Sequence, residues 1–303
     1  MKETPWGPLP VADAHVHFFS RRFFTALAEQ KKTTVDALEP VLGWSIPAED
    51  PGQLAASWVQ ELDRHAVARA ALIASVPGDQ DSVIAAARRY PERFFAYMMV
   101  NPVGTGSADL QRILAGGQVN ALCFFPAMHR YSIQDDRVAA LLDVVAAQPG
   151  VIAFVHCGVL SVGVRKKLGL PSLFDMRYSN PIDLHAVALR YPQIHFVVPH
   201  FGAGYFREAL MLCDLCPNVH LDTSSTNGWM RYAEGNLDLR TVFRRALDVV
   251  GPKRLLFGSD SSFFPRGWNA QIFDAQSKAL YEIGVPAEVA RAIFHDNLAQ
   301  LFS

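Results

Sequence analysis

The sequence predicts an α/β protein that folds as one eight-stranded β/α barrel, the TIM barrel, over residues 1–303. Short apolar runs alternate with amphipathic stretches of helical period, and eight such runs can be counted. Apolar strands that alternate with helices favour a parallel sheet covered by helices. The chain length also fits eight β/α units in a single domain. An open, doubly wound sheet is the alternative that this pattern leaves open.

The predicted strands are short runs rich in apolar and β-branched residues, and they are bounded by proline, glycine or polar residues. In chain order they cover residues 11–18, 68–74, 94–100, 119–125, 151–156, 194–200, 219–223 and 254–260. The helices predicted between and after them cover residues 82–90, 107–114, 136–148, a segment from Pro181, 271–283 and 286–294. Gly116-Gly117 and Pro149-Gly150 mark the ends of two of these helices.

An unusually long connection, from Ser20 to His65, follows the first strand. A direct connection in a barrel needs far fewer residues, so we expect this segment to be an insertion within the barrel domain that covers something. Aromatic residues in it can bury area and exclude water from a closed site. Trp44 is the residue expected to form one wall of the pocket. The alternative is that this segment only lies on the protein surface or contacts another subunit.

Charge and cysteine content exclude several classes of protein. The 28 basic and 29 acidic residues nearly balance, which argues against partners such as nucleic acid or a membrane surface. No signal peptide and no apolar stretch long enough to cross a bilayer is visible. The four cysteines are too sparse for a disulfide scaffold. We therefore expect a cytoplasmic protein whose partner is a small organic acid, with a homodimer as the assembly left open.

Two histidines in the first strand, His15 and His17, lie two residues apart. On a strand they point to the same side, roughly 6.5–7 Å apart, and two neutral imidazoles at that spacing can converge on one divalent cation. Two unrelated histidines at a polar strand end are the alternative. Asp13 shares their parity, so it is predicted either to orient an imidazole from below or to be a buried structural carboxylate.

Further candidates stand at the ends of other predicted strands. Active sites of barrels lie at the carboxyl ends of the strands. His156, His200 and Asp260 end the fifth, sixth and eighth predicted strands. The sequence therefore predicts one rim that collects four imidazoles and a carboxylate, counting the two histidines of the first strand.

The motifs that carry these residues resemble a known family. D-x-H-x-H on strand one, V-H-C-G on strand five, P-H-F-G on strand six and G-S-D on strand eight are similar to the amidohydrolase superfamily, and within it to the amidohydrolase-related branch that also holds aminocarboxymuconate-semialdehyde decarboxylase. The resemblance covers nearly the whole chain. It implies that His15, His17, His156 and Asp260 ligate one divalent metal, with zinc expected first and manganese second. It also implies that His200 is a catalytic acid or base beside the metal.

One departure from the superfamily pattern bears on the number of metals. Binuclear members of the superfamily carry a bridging carboxylated lysine at the end of strand four. In this chain the corresponding strand reads A-L-C-F-F-P, without lysine. A second metal is therefore not expected.

The candidates for substrate binding are Arg177, Trp44 and His129. Arg177 lies in the long loop after strand five, and a guanidinium pairs with a carboxylate in two-pronged geometry. His129 follows strand four, from where it can reach the rim. A solvated loop with ordinary aromatic contacts is the alternative. His195 has the opposite parity to His200, so it is predicted to point into the helix layer.

Three imidazoles and one carboxylate with an open coordination position form a hydrolytic arrangement. The predicted function is a mononuclear metal-dependent hydrolase of a small carboxylated ester, lactone or amide. In it metal-activated water attacks a carbonyl, and Asp260 and His200 handle the protons. The second interpretation is a metal-dependent non-oxidative decarboxylase of a small unsaturated or aromatic acid, because it needs the same Lewis acid beside a proton donor. The third is a non-catalytic barrel that binds a ligand.

Overall fold

The computed structural model describes residues 1–224 and 227–302, and in it eight parallel strands form one sheet in chain order. The strands are β1 (Ala12–Phe18), β2 (Arg69–Ala74), β3 (Phe94–Val100), β4 (Val119–Phe124), β5 (Ile152–Val155), β6 (Phe196–Val198), β7 (Val219–Asp222) and β8 (Leu255–Leu256). The predicted strands are all present, and the later ones are shorter than predicted. The fold is the TIM barrel, and the open doubly wound sheet is wrong.

The sheet closes where β8 returns to β1. The backbone N–H of His17 donates to the carbonyl of Ser261 at 2.7 Å, and that of Asp260 donates to the carbonyl of His15 at 3.0 Å. A further bond, at 2.8 Å, joins the N–H of Ala14 to the carbonyl of Phe257. Because the closing contacts lie at the carboxyl end of the two strands, His15, His17 and Asp260 meet across this seam.

Helices follow the strands and surround them. They are α1 (Arg21–Lys31), α2 (Glu39–Leu42), α3 (Pro51–Arg64), α4 (Gln80–Arg89), α5 (Ser107–Leu114), α6 (Pro126–His129), α7 (Asp136–Ala146), α8 (Gly163–Lys167), α9 (His185–Arg190), α10 (Phe206–Leu215), α11 (Leu239–Val249), α12 (Ala270–Glu282), α13 (Ala287–Arg291) and α14 (Asn297–Gln300). Shorter 3-10 segments are Asp36–Leu38, Met176–Tyr178, Pro181–Leu184, His200–Gly202, Asn227–Tyr232 and Pro252–Arg254, and Ala292–Asp296 is a π-helical turn. No helix in residues 1–224 and 227–302 is both long and apolar enough to cross a membrane.

Two apolar layers hold the barrel together. Inside it, alternate residues of the strands pack against each other, among them Ile73, Tyr97 and Phe154. The residues between them face outwards and pack against the helices. This division follows from the two-residue period of a strand, which sends neighbouring side chains to opposite faces. Burial on both faces explains why the strands read as continuous apolar runs.

The insertion from Ser20 to His65 forms a third apolar cluster, which we call the roof cluster. Ser20 starts α1 by accepting from the N–H of Phe23 at 3.3 Å, and Asp50 starts α3 by accepting from the N–H of Gly52 at 2.9 Å. The roof cluster is built from Phe23, Phe24, Leu27, Ala28, Leu38, Leu42, Trp44, Val164 and Leu168. Val164 lies in α8 and Leu168 directly follows it, so the insertion packs on the loop after β5.

Strand β1 does not alternate as its sequence predicts. The register against β2 shifts between Asp13 and Val16, which is a bulge. Before the bulge Ala12 and Ala14 face the barrel interior, and after it Val16 and Phe18 face the helices. His15 and His17 therefore point inwards, whereas Asp13 points away from the barrel interior. The prediction that Asp13 shares the parity of the two histidines is wrong.

Candidate metal centre

Three predicted ligands converge at the carboxyl end of the barrel. Nε2 of His15 lies 3.4 Å from Nε2 of His17, and the Oδ1 atom of Asp260 lies 3.7 Å from the first and 3.4 Å from the second. His15 is buried, whereas His17 and Asp260 keep 20% and 23% of their side-chain surface exposed. The three residues form a candidate metal site that solvent can reach from one side.

The imidazole of His15 is oriented by the buried carboxylate of Asp222. Nδ1 of His15 donates to Oδ2 of Asp222 at 2.6 Å, and Asp222 is fully buried at the end of β7. An ionised carboxylate only accepts hydrogen bonds, so Nδ1 carries a proton and Nε2 presents its lone pair to the site. A carboxylate behind a histidine in this way fixes the tautomer and raises the basicity of a metal-ligating imidazole.

Hydrogen bonds of Ser75 fix the tautomer of His17 in a similar way. The hydroxyl of Ser75 donates to the carbonyl of Ile73 at 3.1 Å, so its oxygen accepts from Nδ1 of His17 at 2.9 Å. Nε2 of His17 therefore carries the lone pair, as Nε2 of His15 does. Both imidazoles present the atom that a divalent cation would bind.

His200 lies beside His15, with 4.9 Å between the two ring centroids. Its Nδ1 donates to the backbone carbonyl of Ser224 at 2.8 Å, which leaves Nε2 to accept or transfer a proton. The hydroxyl oxygen of Ser224 lies 3.0 Å from the same nitrogen and 2.9 Å from Nδ1 of His15. Ser224 thus links the imidazole predicted to move protons with one predicted to bind metal.

His156 is the fourth imidazole of the cluster and lies next to His200. Its ring centroid lies 5.4 Å from that of His200, and it stacks on Phe125. Its Nδ1 is buried and has no hydrogen-bond partner among the described residues. The three-ligand cluster does not include it, so its role as a metal ligand stays a prediction.

The electrostatics of the cluster favour the neutral form of His17, His156 and His200 and the ionised form of Asp260. Burial lowers the pKa of His17, His156 and His200, which keeps them in the neutral form that binds metals. Burial also disfavours the charged form of His15, but the negative charge of Asp222 outweighs it and raises the pKa of His15. Burial works against ionisation of Asp260, yet the hydrogen bond with His17 and the nearby imidazoles lower its pKa below the ordinary value.

Left-handed backbone conformations place two of these side chains. His200 has a φ of 58° and Asp260 a φ of 56°, a region that residues other than glycine rarely occupy. Such conformations persist where the surrounding structure imposes them, and they are concentrated at functional sites. Strand β6 ends at Val198, and Val197, not Val198, faces the barrel interior. The predicted parity of β6 is therefore wrong, and His200 reaches the site through its local backbone turn.

Glycines in the motifs allow close approach of backbone segments. A Cβ added to Gly258 would lie 2.6 Å from Oδ1 of Asp222, 2.7 Å from Cβ of Ser224 and 2.9 Å from Cβ of His15. A Cβ at Gly158, in V-H-C-G, would collide with the carbonyl of Gly202, in P-H-F-G. The glycine in each of these motifs therefore lets the strands that carry the site residues pack against each other.

The three predicted substrate-binding residues have three different environments in the structure. Trp44 is buried in the roof cluster and stacks on Phe263, with 3.9 Å between ring centroids. His129 ends α6, and burial lowers its pKa to about 4. Arg177 is 81% exposed, and its guanidinium already pairs with Asp175 at 2.6 Å. The roles of these residues in substrate binding stay predictions, and the structure does not join Arg177 to the histidine cluster.

Of the two alternatives predicted for Asp13, the structure supports the buried structural carboxylate, whereas the prediction for His195 is wrong. Asp13 accepts from the backbone N–H of His15 at 2.9 Å and from the indole of Trp268 at 2.7 Å, so it orients no imidazole. His195 does not enter the helix layer, because its Nδ1 lies 3.0 Å from Nε2 of His220. His220 pairs with the interior-facing Val197, which places the two histidines at the amino-terminal end of the barrel.

Sequence reasoning assigns no role to Asp222, Ser224 or Ser75, although each orients a site histidine. A signal for Asp222 exists, since it ends strand β7 as Asp260 follows strand β8. The two serines carry no such signal, because serines at strand ends are common and only the folded chain shows which imidazole they reach.

The donor set fits a divalent cation. Zinc bound tetrahedrally at about 2.0–2.1 Å holds its ligand atoms about 3.3–3.4 Å apart. The three separations among His15, His17 and Asp260 are 3.4, 3.4 and 3.7 Å. Two neutral imidazoles and a carboxylate are also the ligand types that zinc and manganese accept.

Metal-dependent enzymes with the TIM-barrel fold carry clusters of this kind at the carboxyl ends of their strands. The sequence profile of one such family, described as Amidohydrolase, matches residues 12–303. The chain belongs to this family, which is a family of enzymes. This confirms the resemblance predicted from the four motifs.

Known proteins resemble parts or all of the chain. Protein fluG of Emericella nidulans is 33% identical over 108 residues, and the matched region spans 34% of this chain and 12% of that protein. A probable 2-pyrone-4,6-dicarboxylic acid hydrolase from Acinetobacter baumannii, with citric acid bound, has a TM-score of 0.62 at 14% identity, over 97% of this chain and 99% of that one.

Two further solved structures share the fold. A 2,6-dihydroxybenzoate decarboxylase complexed with 2,6-dihydroxybenzoate has a TM-score of 0.62 at 14% identity, over 100% of this chain and 99% of that one. An amidohydrolase from Burkholderia multivorans with bound zinc has a TM-score of 0.59 at 16% identity, over 97% and 99% of the two chains. Similarity at this level of identity establishes the common fold.

Proposed function

We propose that the protein is a hydrolase that uses one divalent metal ion, zinc first and manganese second, to cleave a small carboxylated ester, lactone or amide. The observation that carries this proposal is the triangle of His15, His17 and Asp260 at the solvent-facing end of the barrel, with donor separations of 3.4 to 3.7 Å. Hydrolysis of a small acid derivative suits a site of this kind, because it needs one Lewis acid and two proton-transfer groups.

His15, His17 and Asp260 would hold the metal, and His156 would be the fourth ligand. The unpartnered, buried Nδ1 of His156 supports this assignment, because a buried polar atom without a partner is costly unless a ligand satisfies the ring. When bound, a divalent cation in such a set polarises an acceptor oxygen and lowers the pKa of water. The strand-four position of the bridging lysine is occupied by apolar residues and the buried Cys123, which supports a single metal.

Asp260 and His200 would divide the proton transfers. The low pKa of Asp260 keeps its carboxylate ionised, so it can accept a proton from the attacking water. Nδ1 of His200 is held by the carbonyl of Ser224, so its Nε2 is the atom that passes a proton to the leaving oxygen or nitrogen. The water oxygen adds to the carbonyl carbon, the bond to the leaving atom breaks, and that atom departs protonated.

A second candidate is the non-oxidative decarboxylation of a small unsaturated or aromatic acid. Phe19, Trp44 and Phe263 form a stack of aromatic rings, and Phe19 lies 5.6 Å from His17 by ring centroids. Such a wall suits a planar ring, and one neighbour in fold is a dihydroxybenzoate decarboxylase. In this reaction His200 or Asp260 would protonate the carbon that loses carbon dioxide.

One experiment separates these candidates. Metal content is measured on purified protein, and a panel of small acids and their esters, lactones and amides is screened with separate detection of carbon dioxide and of released acid. We expect about one equivalent of metal per chain and acid release without carbon dioxide. Carbon dioxide release would establish the decarboxylase, and two tightly held metals per chain, or full activity in metal-free protein, would contradict the proposal. The double variant His15→Ala/His17→Ala is expected to lose metal and turnover together.

The assembly and the cellular location of the protein are also proposals. We propose a homodimer and a cytoplasmic location. Light scattering of the purified chain tests the first, and fractionation of cells that express it tests the second.

A further inference from the structure

Gln276 is a fully buried glutamine on helix α12, and its amide binds the residue that follows strand β7. Its Oε1 accepts from the hydroxyl of Thr223 at 2.7 Å, and its Nε2 donates to the backbone carbonyl of Thr223 at 2.7 Å. A carbonyl can only accept, so it fixes which way the amide of Gln276 is turned. We call these two hydrogen bonds the glutamine clamp.

Thr223 stands between the two residues that orient site histidines. Before it, the carboxylate of Asp222 accepts from Nδ1 of His15 at 2.6 Å. After it, the backbone carbonyl of Ser224 accepts from Nδ1 of His200 at 2.8 Å. The N–H of Ser224 also donates to Oδ1 of Asp222 at 2.5 Å, which ties the two flanking residues together. The position of Thr223 therefore bears on both imidazoles.

The sheet gives this segment little support. Strand β8 contains only Leu255 and Leu256, and its pairing with β7 ends at Asp222 and Leu256. The N–H of Thr223 still donates to the carbonyl of Leu256 at 2.8 Å, whereas the carbonyl of Thr223 accepts from the glutamine clamp. The clamp thus supplies the hydrogen bond that a longer strand β8 would have supplied.

Packing alone does not explain an amide at this position. Gln276 lies in the layer between the strands and the helices, where Phe273, Ala279 and Leu280 of the same helix are buried in the apolar core. Burying an amide is unfavourable unless its hydrogen bonds are satisfied, and an apolar side chain of similar size fills such a space without that requirement. The role of Gln276 therefore lies in what its hydrogen bonds hold in place.

We propose that Gln276 is a positioning residue of the metal centre, which holds Asp222 and Ser224 where they fix the tautomers of His15 and His200. This inference rests on the proposed function and adds to it a residue that acts through Thr223. Two hydrogen bonds to one residue restrain its rotation as well as its position. Without them the two acceptors can move away from the Nδ1 atoms, and each imidazole can place its proton on Nε2, which is the atom that faces the site.

The variant Gln276→Met tests the clamp, because methionine has nearly the same length and can form neither hydrogen bond. The matched control is Asn218→Leu. Asn218 is a buried amide directly before the same strand, β7, and its Nδ2 donates to the carbonyls of Ala188, Tyr191 and Ile194 at 3.1, 3.1 and 3.0 Å. Both variants lose buried hydrogen bonds, but only Gln276→Met loses them at the end of β7 that carries Asp222.

Two measurements report on the two histidines. NMR of metal-free protein with isotopically labelled histidine gives the tautomer of His200, whose signals are identified by their absence in His200→Ala. We expect the proton on Nδ1 in the parent and a mixture of both tautomers in Gln276→Met. Zinc affinity, measured by competition with a chelator, should fall about 3- to 10-fold, less than the roughly 10- to 100-fold typical of removing an orienting group itself, because Asp222 is still present.

The control and a second pair of variants complete the test. Asn218→Leu should lower the melting temperature about as much as Gln276→Met and leave the tautomer and the zinc affinity unchanged. Thr223→Ser keeps both groups that the clamp binds, so it should behave as the parent. Thr223→Val keeps the shape and removes the hydroxyl, so its zinc affinity should lie between those of Thr223→Ser and Gln276→Met. The pair at Thr223 decides the question if Gln276→Met does not fold.

Three results overturn the positioning role. In the first, Gln276→Met is less stable but keeps the tautomer of His200 and a zinc affinity within about twofold of the parent. In the second, Asn218→Leu loses as much zinc affinity as Gln276→Met. In the third, Thr223→Val and Thr223→Ser are the same in tautomer and zinc affinity. Failure of the proposed hydrolase looks different, because no metal-dependent turnover is then found in the parent, while both measurements need no substrate and still separate Gln276→Met from its control.

Discussion

Replacing Asp222 with asparagine tests whether the carboxylate behind His15 controls the metal centre. In the native chain Oδ2 of Asp222 accepts from Nδ1 of His15 at 2.6 Å, and its Oδ1 accepts from the N–H of Ser224 at 2.5 Å. Asparagine has nearly the same shape, so the fold should be preserved. It removes the negative charge that raises the pKa of His15, and its amide also allows the tautomer with the proton on Nε2.

The size of the effect follows from the hydrogen bond that changes. A hydrogen bond to a charged group contributes about 1.5–3 kcal/mol, and one between neutral groups about 0.5–1.5 kcal/mol. The difference of roughly 1–1.5 kcal/mol corresponds to about a 5- to 13-fold loss of affinity. The population of the wrong tautomer adds to this loss. We therefore expect zinc affinity to fall by about 10- to 100-fold, the usual effect of removing a group that orients a metal-binding imidazole.

Zinc affinity is measured by competition with a chromophoric chelator at fixed pH and ionic strength. The matched control is Asp79→Asn, because Asp79 is also a buried carboxylate and accepts hydrogen bonds from the hydroxyls of Ser20 and Ser82 at 2.5 Å, away from the histidine cluster. Thermal unfolding of both variants without metal shows whether they are folded. A zinc affinity for Asp222→Asn within twofold of the parent would refute the role given to Asp222.

Three further predictions follow from the same geometry. His200→Ala should keep its metal and lose at least ~10²-fold in rate, the usual scale for a general acid or base, and loss of metal measured by elemental analysis would make His200 a ligand instead. Gly258→Ala should lower thermal stability by about 1–3 kcal/mol and weaken metal binding, since its Cβ would lie 2.6 to 2.9 Å from three atoms of the site; an unchanged melting curve and metal affinity would contradict this. Burial lowers the pKa of His220 to about 3, so the unfolded chain takes up a proton below pH 6.5 while the folded chain does not. The contribution of His220 to the free energy of unfolding should be fully present above pH 6.5 and decrease towards pH 3, by at most about 1.4 kcal/mol per pH unit. His220→Leu should flatten this pH dependence in urea titrations. A slope equal to that of the parent would refute the prediction.

Burial and two neighbouring basic residues explain the low pKa of His220, which lies at the amino-terminal end of the barrel. Burial is the main cause, and the charges of His195 and Arg254 act in the same direction. Nε2 of His220 lies 3.0 Å from Nδ1 of His195, so both rings cannot be protonated without repulsion. The loss of stability in acid therefore originates in part far from the candidate metal centre, and it can be measured without metal.

Most of the barrel could be predicted from the sequence because strand burial on both faces leaves a clear signal. Strand β3 is found at the predicted residues, Phe94–Val100, and helix α5 at Ser107–Leu114. The predicted strand 254–260 reduces to Leu255–Leu256, because the following residues leave the sheet to form the site. Apolar runs show where the sheet is, but not where its hydrogen bonding ends.

The candidate site could be predicted in composition but not in detail. Position at strand ends selects His15, His17 and Asp260, which do converge. Strict alternation fails at Asp13 because the bulge of β1 reverses the faces, and it fails for His200 because a left-handed turn, not a strand, directs this side chain. Arg177 shows a different limit, since Asp175 two residues before it is a partner that the sequence already offers.

The bulge in β1 also accounts for the position of Asp13. Because the bulge turns its side chain away from the barrel interior, one oxygen accepts from the N–H groups of His15 and Ser259 at 2.9 and 3.0 Å, and the other accepts from the hydroxyl of Ser259 and the indole of Trp268. Burial raises the pKa of Asp13 to about 6, and these hydrogen bonds counteract that rise. One carboxylate thus joins β1 to the segment after β8 beside the point where the two strands carry His15 and Asp260. The separation of these two ligands therefore depends on a residue that touches neither of their side chains, which is why the first aspartate of D-x-H-x-H belongs to the site although it faces away from it.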